Sequence, residues 1–204
     1  MSDEKYNVIL IGGSPMSGKS TLASSLASLL SFPCIPTDDL GTMAQAMVTK
    51  ETHPEFFYKS DDESFETYYS QTEPEVLFDD IYNFHMKLWP GVHNVIKAHA
   101  NWSGPAIVEG YSLYPEQVNG LKEDKLKAFW LICEPEVFAK RFEARNENSF
   151  FNNKKMRENF ILRSQLHNNF ISEQAIKYNM KTIEVRISDD SSSIYEKAKL
   201  LLNL

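Results

Sequence analysis

The stretch VILIGGSPMSGKSTLASSL, Val8 to Leu26, decides the fold. An apolar run breaks into glycine, serine and proline and then enters a segment that reads as a helix. Within it, Gly13-Ser14-Pro15-Met16-Ser17-Gly18-Lys19-Ser20 matches G-x-x-x-x-G-K-[ST], with the strand before and the helix after that this motif requires. Gly13 and Gly18 carry no Cβ, so the backbone can turn sharply and bring successive N–H groups onto one anion. The unpaired N–H groups of the helix start add to that positive nest. Lys19 then reaches the β- and γ-phosphates as a point charge, Ser20 offers a hydroxyl to Mg²⁺, and Thr21 lies near the α-phosphate. Gly13, Ser14, Met16, Ser17, Gly18, Lys19, Ser20 and Thr21 are therefore the expected nucleotide-holding positions.

Working outward, strand-like and helix-like segments alternate. Strands are expected at 6–11, 32–36, 105–109, 127–133 and 181–185. Helices are expected at 19–30, 38–48, 135–146, 154–178 and 192–202. A longer helical pattern over 73–100 is interrupted near Trp89-Pro90-Gly91. Continuous apolar strands separated by helices mean strands buried on both faces, hence a parallel α/β sheet with right-handed crossovers. At 204 residues, 42% hydrophobic and 24% charged, the chain reads as one domain over 1–204. Its net charge of −7 argues against a nucleic-acid surface while leaving room for small anionic ligands. Cys34 and Cys133 sit in short apolar runs and read as buried, reduced thiols. The charged start MSDEKYN shows no signal peptide, and no apolar run approaches the roughly 18 residues of a membrane span. These features place the expected protein in the cytoplasm, away from membranes.

Three segments narrow the chemistry. Pro36-Thr37-Asp38-Asp39-Leu40 falls at the C-terminal end of the second strand, where an open α/β sheet lines its ligand crevice. Asp38 there suits a base that takes a proton from an attacking hydroxyl, although either acid also suits a helix cap. Ala106-Ile107-Val108-Glu109-Gly110 is an apolar strand ending in an acid, so Glu109 suits an orienter of Mg²⁺, and Gly110 permits close backbone approach to a ligand. Arg141 and Arg145 are four apart and share a helix face, while Arg157 and Arg163 lie across an Asn-rich turn. The region 141–163 reads as a lid that closes over a triphosphate, or as solvated faces with Glu–Arg pairs.

GGSPMSGKSTLA, PTDDLG, AIVEGYSLYPEQV and CEPEVFAKRFEAR, in this order, resemble the P-loop small-molecule kinases. Within that group the chain is most similar to 2-phosphoglycerate kinase-like proteins, with uridine kinase and zeta-toxin-type kinases further off. The resemblance implies a five-stranded parallel sheet of order 2-3-1-4-5 and ATP with Mg²⁺. It implies Lys19 and Ser20 on phosphate and metal, Asp38 as base and Glu109 as the metal-orienting acid. Arg141 and Arg145 become the lid or adenine-side arginines.

The segment 50–90 is expected to be an acceptor-side helical insertion. It holds many aromatics beside acids, and between Lys19 and Lys87 the only lysines or arginines are Lys50 and Lys59. That composition suits a neutral or cationic hydroxyl-bearing acceptor better than a phosphorylated one. Phe78, Ile81, Tyr82, His85 and Leu88 recur at helical spacing and read as core. The Phe56-Phe57-Tyr58 and Tyr68-Tyr69 runs fit no single face and stay open as pocket or homodimer contacts. The expected activity is γ-phosphoryl transfer from ATP to a hydroxyl of a small molecule. The rival reading is a nucleotide-binding ATPase or switch without such an acceptor.

Overall fold

The computed structural model describes residues 6–60, 62–121, 125–144 and 153–204. Strands β1 (Val8–Gly13), β2 (Cys34–Pro36), β3 (Ala106–Glu109), β4 (Leu126–Cys133) and β5 (Lys181–Val185) form one sheet of order β2-β3-β1-β4-β5. Every pairing in it is parallel, as buried apolar strands joined by helices require. Helices α1 (Lys19–Leu30), α2 (Thr37–Met47), α3 (Phe65–Gln71), α4 (Pro74–Asn101), α5 (Pro115–Asn119), α6 (Pro135–Ala144), α7 (Lys154–Lys177) and α8 (Ser191–Leu202) fill the connections.

Side-chain alternation along β1 builds two core layers. Ile9 and Ile11 pack with Leu22 and Leu26 of α1, Phe138 of α6 and Ala198 of α8. Val8 and Leu10 face the other way, onto Leu88, Val92 and Ile96 of α4 and Ile171 of α7. Trp130 of β4 is fully buried, and its Nε1 donates to the Leu113 carbonyl at 2.7 Å. A Cβ at Gly12 would lie 2.2 Å from that indole, so glycine is required there by close approach.

Two local expectations are corrected. The helix over 73–100 is not interrupted: α4 runs unbroken from Pro74 to Asn101, with Pro90 inside it. Pro90 is exposed, and Leu88, Val92 and Ile96 on the opposite stripe are at most 5% exposed, so packing holds the helix across the missing N–H. Cys133 is buried as expected, but Cys34 is exposed, because β2 is a three-residue edge strand paired only on its β3 side. Among the described residues no helix is long and apolar enough to cross a membrane.

Candidate active site

β1, β2 and β3 end at one edge of the sheet, and the turn after each presents the residues that the sequence singled out. After β1 the chain passes through left-handed backbone at Met16 (φ 64) and Gly18 (φ 95), and Gly18 is the N-cap of α1. Gly13 has φ 136, and a Cβ on it would stand 2.7 Å from the Leu131 carbonyl. Both glycines are thus fixed by backbone conformation and crowding. Lys19 is 7% exposed and its Nζ donates to the Ser14 carbonyl at 2.8 Å, holding the ammonium inside the loop. The Ser14 and Ser17 hydroxyls are buried without partners, leaving polar groups inside the loop that no protein atom satisfies.

Arg141 reaches this loop from α6, its Nη1 donating to the Met16 carbonyl at 2.9 Å. The same nitrogen would lie 3.0 Å from a Cβ on Gly18. Arg145 and the turn after it, at 145–152, lie outside the described residues. Arg141, Met16, Gly18 and Thr21 line a cleft of about 400 Å³ that continues to Ile187 and Asp190 after β5.

On the other side of the loop is a cavity of about 360 Å³ lined by Lys19, Ser20, Asp38, Glu109, Tyr111 and Arg163. Met16, Gly18 and Thr21 border both spaces, so the loop stands between them. Asp38 lies in the first turn of α2, whose N-cap is Pro36 with no capping side chain, so neither acid serves as the cap. Enclosure by the surrounding protein pushes its carboxyl above the usual range; Lys19 pulls it down, while Glu109 and Asp39 push it up. Glu109 ends β3 in register with Ile11 and Pro36 and is 5% exposed. Gly110 lines the cavity, and a Cβ there would collide with the buried Thr37 hydroxyl, so a protein contact also requires glycine at this position.

Arg163 is the residue whose placement the sequence left most open. It is buried on α7, its Nη1 donates to Tyr69 OH at 2.9 Å, and its guanidinium lies over the Tyr69 and Phe160 rings. Arg157, by contrast, is absent from the cavity wall. Tyr58 and Tyr69 line the cavity, whereas Tyr68 is buried and its hydroxyl donates to Asp80 at 2.7 Å. Ile81, His85 and Leu88 are buried as expected, while Phe78 and Tyr82 are half-buried against Phe170 of α7. Tyr111, Phe160, Tyr114 and His167 escaped the sequence reading. Tyr111 follows β3 by two residues and Phe160 arrives on α7 to line the cavity, while Tyr114 and His167 lie behind it, hydrogen-bonded in a chain to His85.

Ser20, Asp38 and Glu109 give this cavity three oxygen donors. Among the described residues no group of three or more His, Cys, Asp or Glu side chains forms a metal cage. Mg²⁺ keeps several waters and takes one or two protein oxygens beside substrate phosphates, so this donor set fits it.

The AAA domain family matches residues 9–161. Among solved structures, a gluconokinase from Sinorhizobium meliloti 1021 is 18% identical, with a TM-score of 0.56 over 98% of this chain and 95% of that one. A shikimate kinase from Acinetobacter baumannii, in complex with shikimate, is 11% identical, with a TM-score of 0.56 and coverage of 98% and 95%. A deoxyadenosine kinase from M. mycoides is 14% identical, with a TM-score of 0.52 and coverage of 96% and 98%. These likenesses establish the fold. No curated protein sequence matches the chain.

Proposed function

For a chain that belongs to the AAA domain family, with Lys19, Asp38, Glu109 and Arg163 around one cavity at the strand ends, we propose ATP-dependent phosphoryl transfer to a hydroxyl of a small molecule. That convergence is the observation that carries the reading. Folds shared with proteins named as kinases agree with it, and the narrower likeness to 2-phosphoglycerate kinases is taken no further than small-molecule kinase.

The nucleotide base side occupies the cleft beside Arg141, and the phosphates follow the loop into the cavity. The loop N–H groups and the Ser14 and Ser17 hydroxyls donate to phosphate oxygens, and Lys19 exchanges the Ser14 carbonyl for the transferring group. Mg²⁺, held through Ser20 and Glu109, supplies charge neutralisation when bound. Asp38 orients the acceptor hydroxyl and takes its proton as the new O–P bond forms and the bond to the β-phosphate oxygen breaks. Arg163 and Arg141 flank the developing negative charge. The segment 50–90 supplies the acceptor wall, and 141–163 supplies the lid.

The test is ADP release by the full chain with Mg-ATP, with and without a broad acceptor panel. Acceptor-dependent release is expected, and Lys19→Met lowers it at least 100-fold, the scale of losing one main charge-stabilising donor. ATP turnover that no acceptor accelerates would overturn the reading and favour the switch.

A further inference from the structure

Asp38 also opens onto a second, smaller cavity, of about 160 Å³, on the side away from the loop. Thr42, Gln45 and His85 share its polar wall with Asp38, while Ile81, Phe84 and Leu88 form an apolar side. Among the described residues no lysine or arginine lines it. The space is close to the roughly 150 Å³ that holds a benzene ring, so its occupant has about six heavy atoms there.

The polar atoms left over on this wall begin with the Thr37 hydroxyl, buried there without a partner. Gln45 spends one amide N–H on the Phe56 carbonyl at 2.8 Å, leaving its second N–H and Oε1. Thr42 donates its hydroxyl to the Asp38 carbonyl at 3.0 Å, leaving its lone pairs. His85 is 3% exposed and binds Tyr114 OH through Nδ1 at 3.0 Å, leaving Nε2 as its polar atom for a ligand. Tyr114 OH also meets His167 Nε2 at 3.2 Å. A hydroxyl has one proton, so it donates to one ring and accepts from the other, and the two tautomers are coupled. When Tyr114 donates to His167, His85 Nε2 is a bare acceptor; when it donates to His85, Nε2 carries the proton.

A ligand hydroxyl satisfies either tautomer, because it both donates and accepts. A carboxylate or phosphate would face Asp38 with no cation in this wall, because Lys19 and Arg163, which act on Asp38, line the neighbouring cavity instead. An ammonium would meet the positive field of Arg163, which, after burial, helps hold His85 neutral. We propose that this cavity seats an uncharged polyol, with the reacting hydroxyl at Asp38 and a second hydroxyl read by His85 Nε2. His85 is then a specificity-determining residue, and the coupled Tyr114 and His167 set which way it reads. The inference rests on the kinase reading above and adds the acceptor's class to it.

The experiment compares Mg-ATP-dependent ADP release across four matched groups of acceptors: sugars and sugar alcohols, their acid forms, their phosphates, and their amino analogues. An uncharged polyol is expected to exceed its charged counterparts at least tenfold in kcat/KM. For the best acceptor, deoxy analogues identify the second hydroxyl, whose loss costs the native chain roughly 3- to 10-fold, the scale of one uncharged hydrogen bond. His85→Leu should lose a similar factor on the full polyol and nothing further on that deoxy analogue, with KM for ATP unchanged. Preference for an acid, phosphate or amine overturns the polyol inference while leaving the kinase reading intact. So does a deoxy penalty that persists undiminished in the His85 variant. If that variant does not fold, the deoxy series on the native chain decides, and insensitivity at every position overturns the inference. Turnover unresponsive to all four groups removes the kinase reading and this inference together.

Discussion

Asp38 sits between opposing demands, and its pKa records them. Enclosure raises it first, and Glu109 and Asp39 add to that against the pull of Lys19. A carboxyl raised in the folded state binds protons more readily than in the unfolded chain, so this group's charge opposes folding as pH rises above its unfolded value near 3.8. Asp38→Asn is therefore expected to raise the melting temperature at pH 7 while lowering kcat roughly 10²- to 10⁴-fold, the range of a lost general base. The native chain should also lose kcat/KM as pH falls through the raised pKa, an acid limb that the Asn variant lacks. A variant both less stable and fully active would contradict the assignment. Lys19, Asp38 and Glu109 were all legible in the sequence, because each sits at a fixed offset from a strand end. Arg163 was legible only as one arginine on a helix, since nothing local to it encodes Tyr69 or Phe160 as its partners.

At the scale of elements, the sequence read the long helices and central strands closely, missed the short helices α3 and α5, and failed where packing overrode a local signal. Pro90 reads as a helix break, yet α4 continues through it on the strength of its buried stripe. Pro90→Ala restores an N–H aimed at the Met86 carbonyl one turn back and removes the ring clash. It should stabilise the chain by about 1–3 kcal/mol in urea unfolding, with kcat unchanged. Cys34 fails in the opposite sense: an apolar tripeptide reads as buried, but an edge strand leaves it open. The His85–Tyr114–His167 contact joins α4, the residue before α5, and α7, and burial lowers both histidine pKa values, that of His85 to about 3. A pKa lowered below its unfolded value of 6.5 means stability that is complete above that pH and lost as pH falls toward the folded value. Each ring costs at most about 1.4 kcal/mol per pH unit in that window. Urea unfolding between pH 7 and pH 4 should show this loss, and His85→Leu should remove about half of it.

Across the whole molecule, the site exists because α7 returns over the strand ends and fastens the acceptor-side segment to the nucleotide-side core. Asn159, 1% exposed, makes that fastening: its Nδ2 donates to the carbonyls of Tyr69 and Thr72, each at 2.9 Å. Those carbonyls end α3, which also carries the Tyr69 hydroxyl that receives Arg163. The phosphate loop depends on none of this, since its shape comes from glycine backbone and from Arg141 on α6. The two halves of the site are thus held by separate contacts, and they should fail separately. Asn159→Leu leaves two backbone acceptors without their donor, which costs about 1–3 kcal/mol of stability. It also frees α3, so KM for the acceptor should rise several-fold while nucleotide affinity, read as the ATP-dependent rise in melting temperature, stays within twofold. Equal losses on both sides would mean that the loop and α3 form a single mechanical unit.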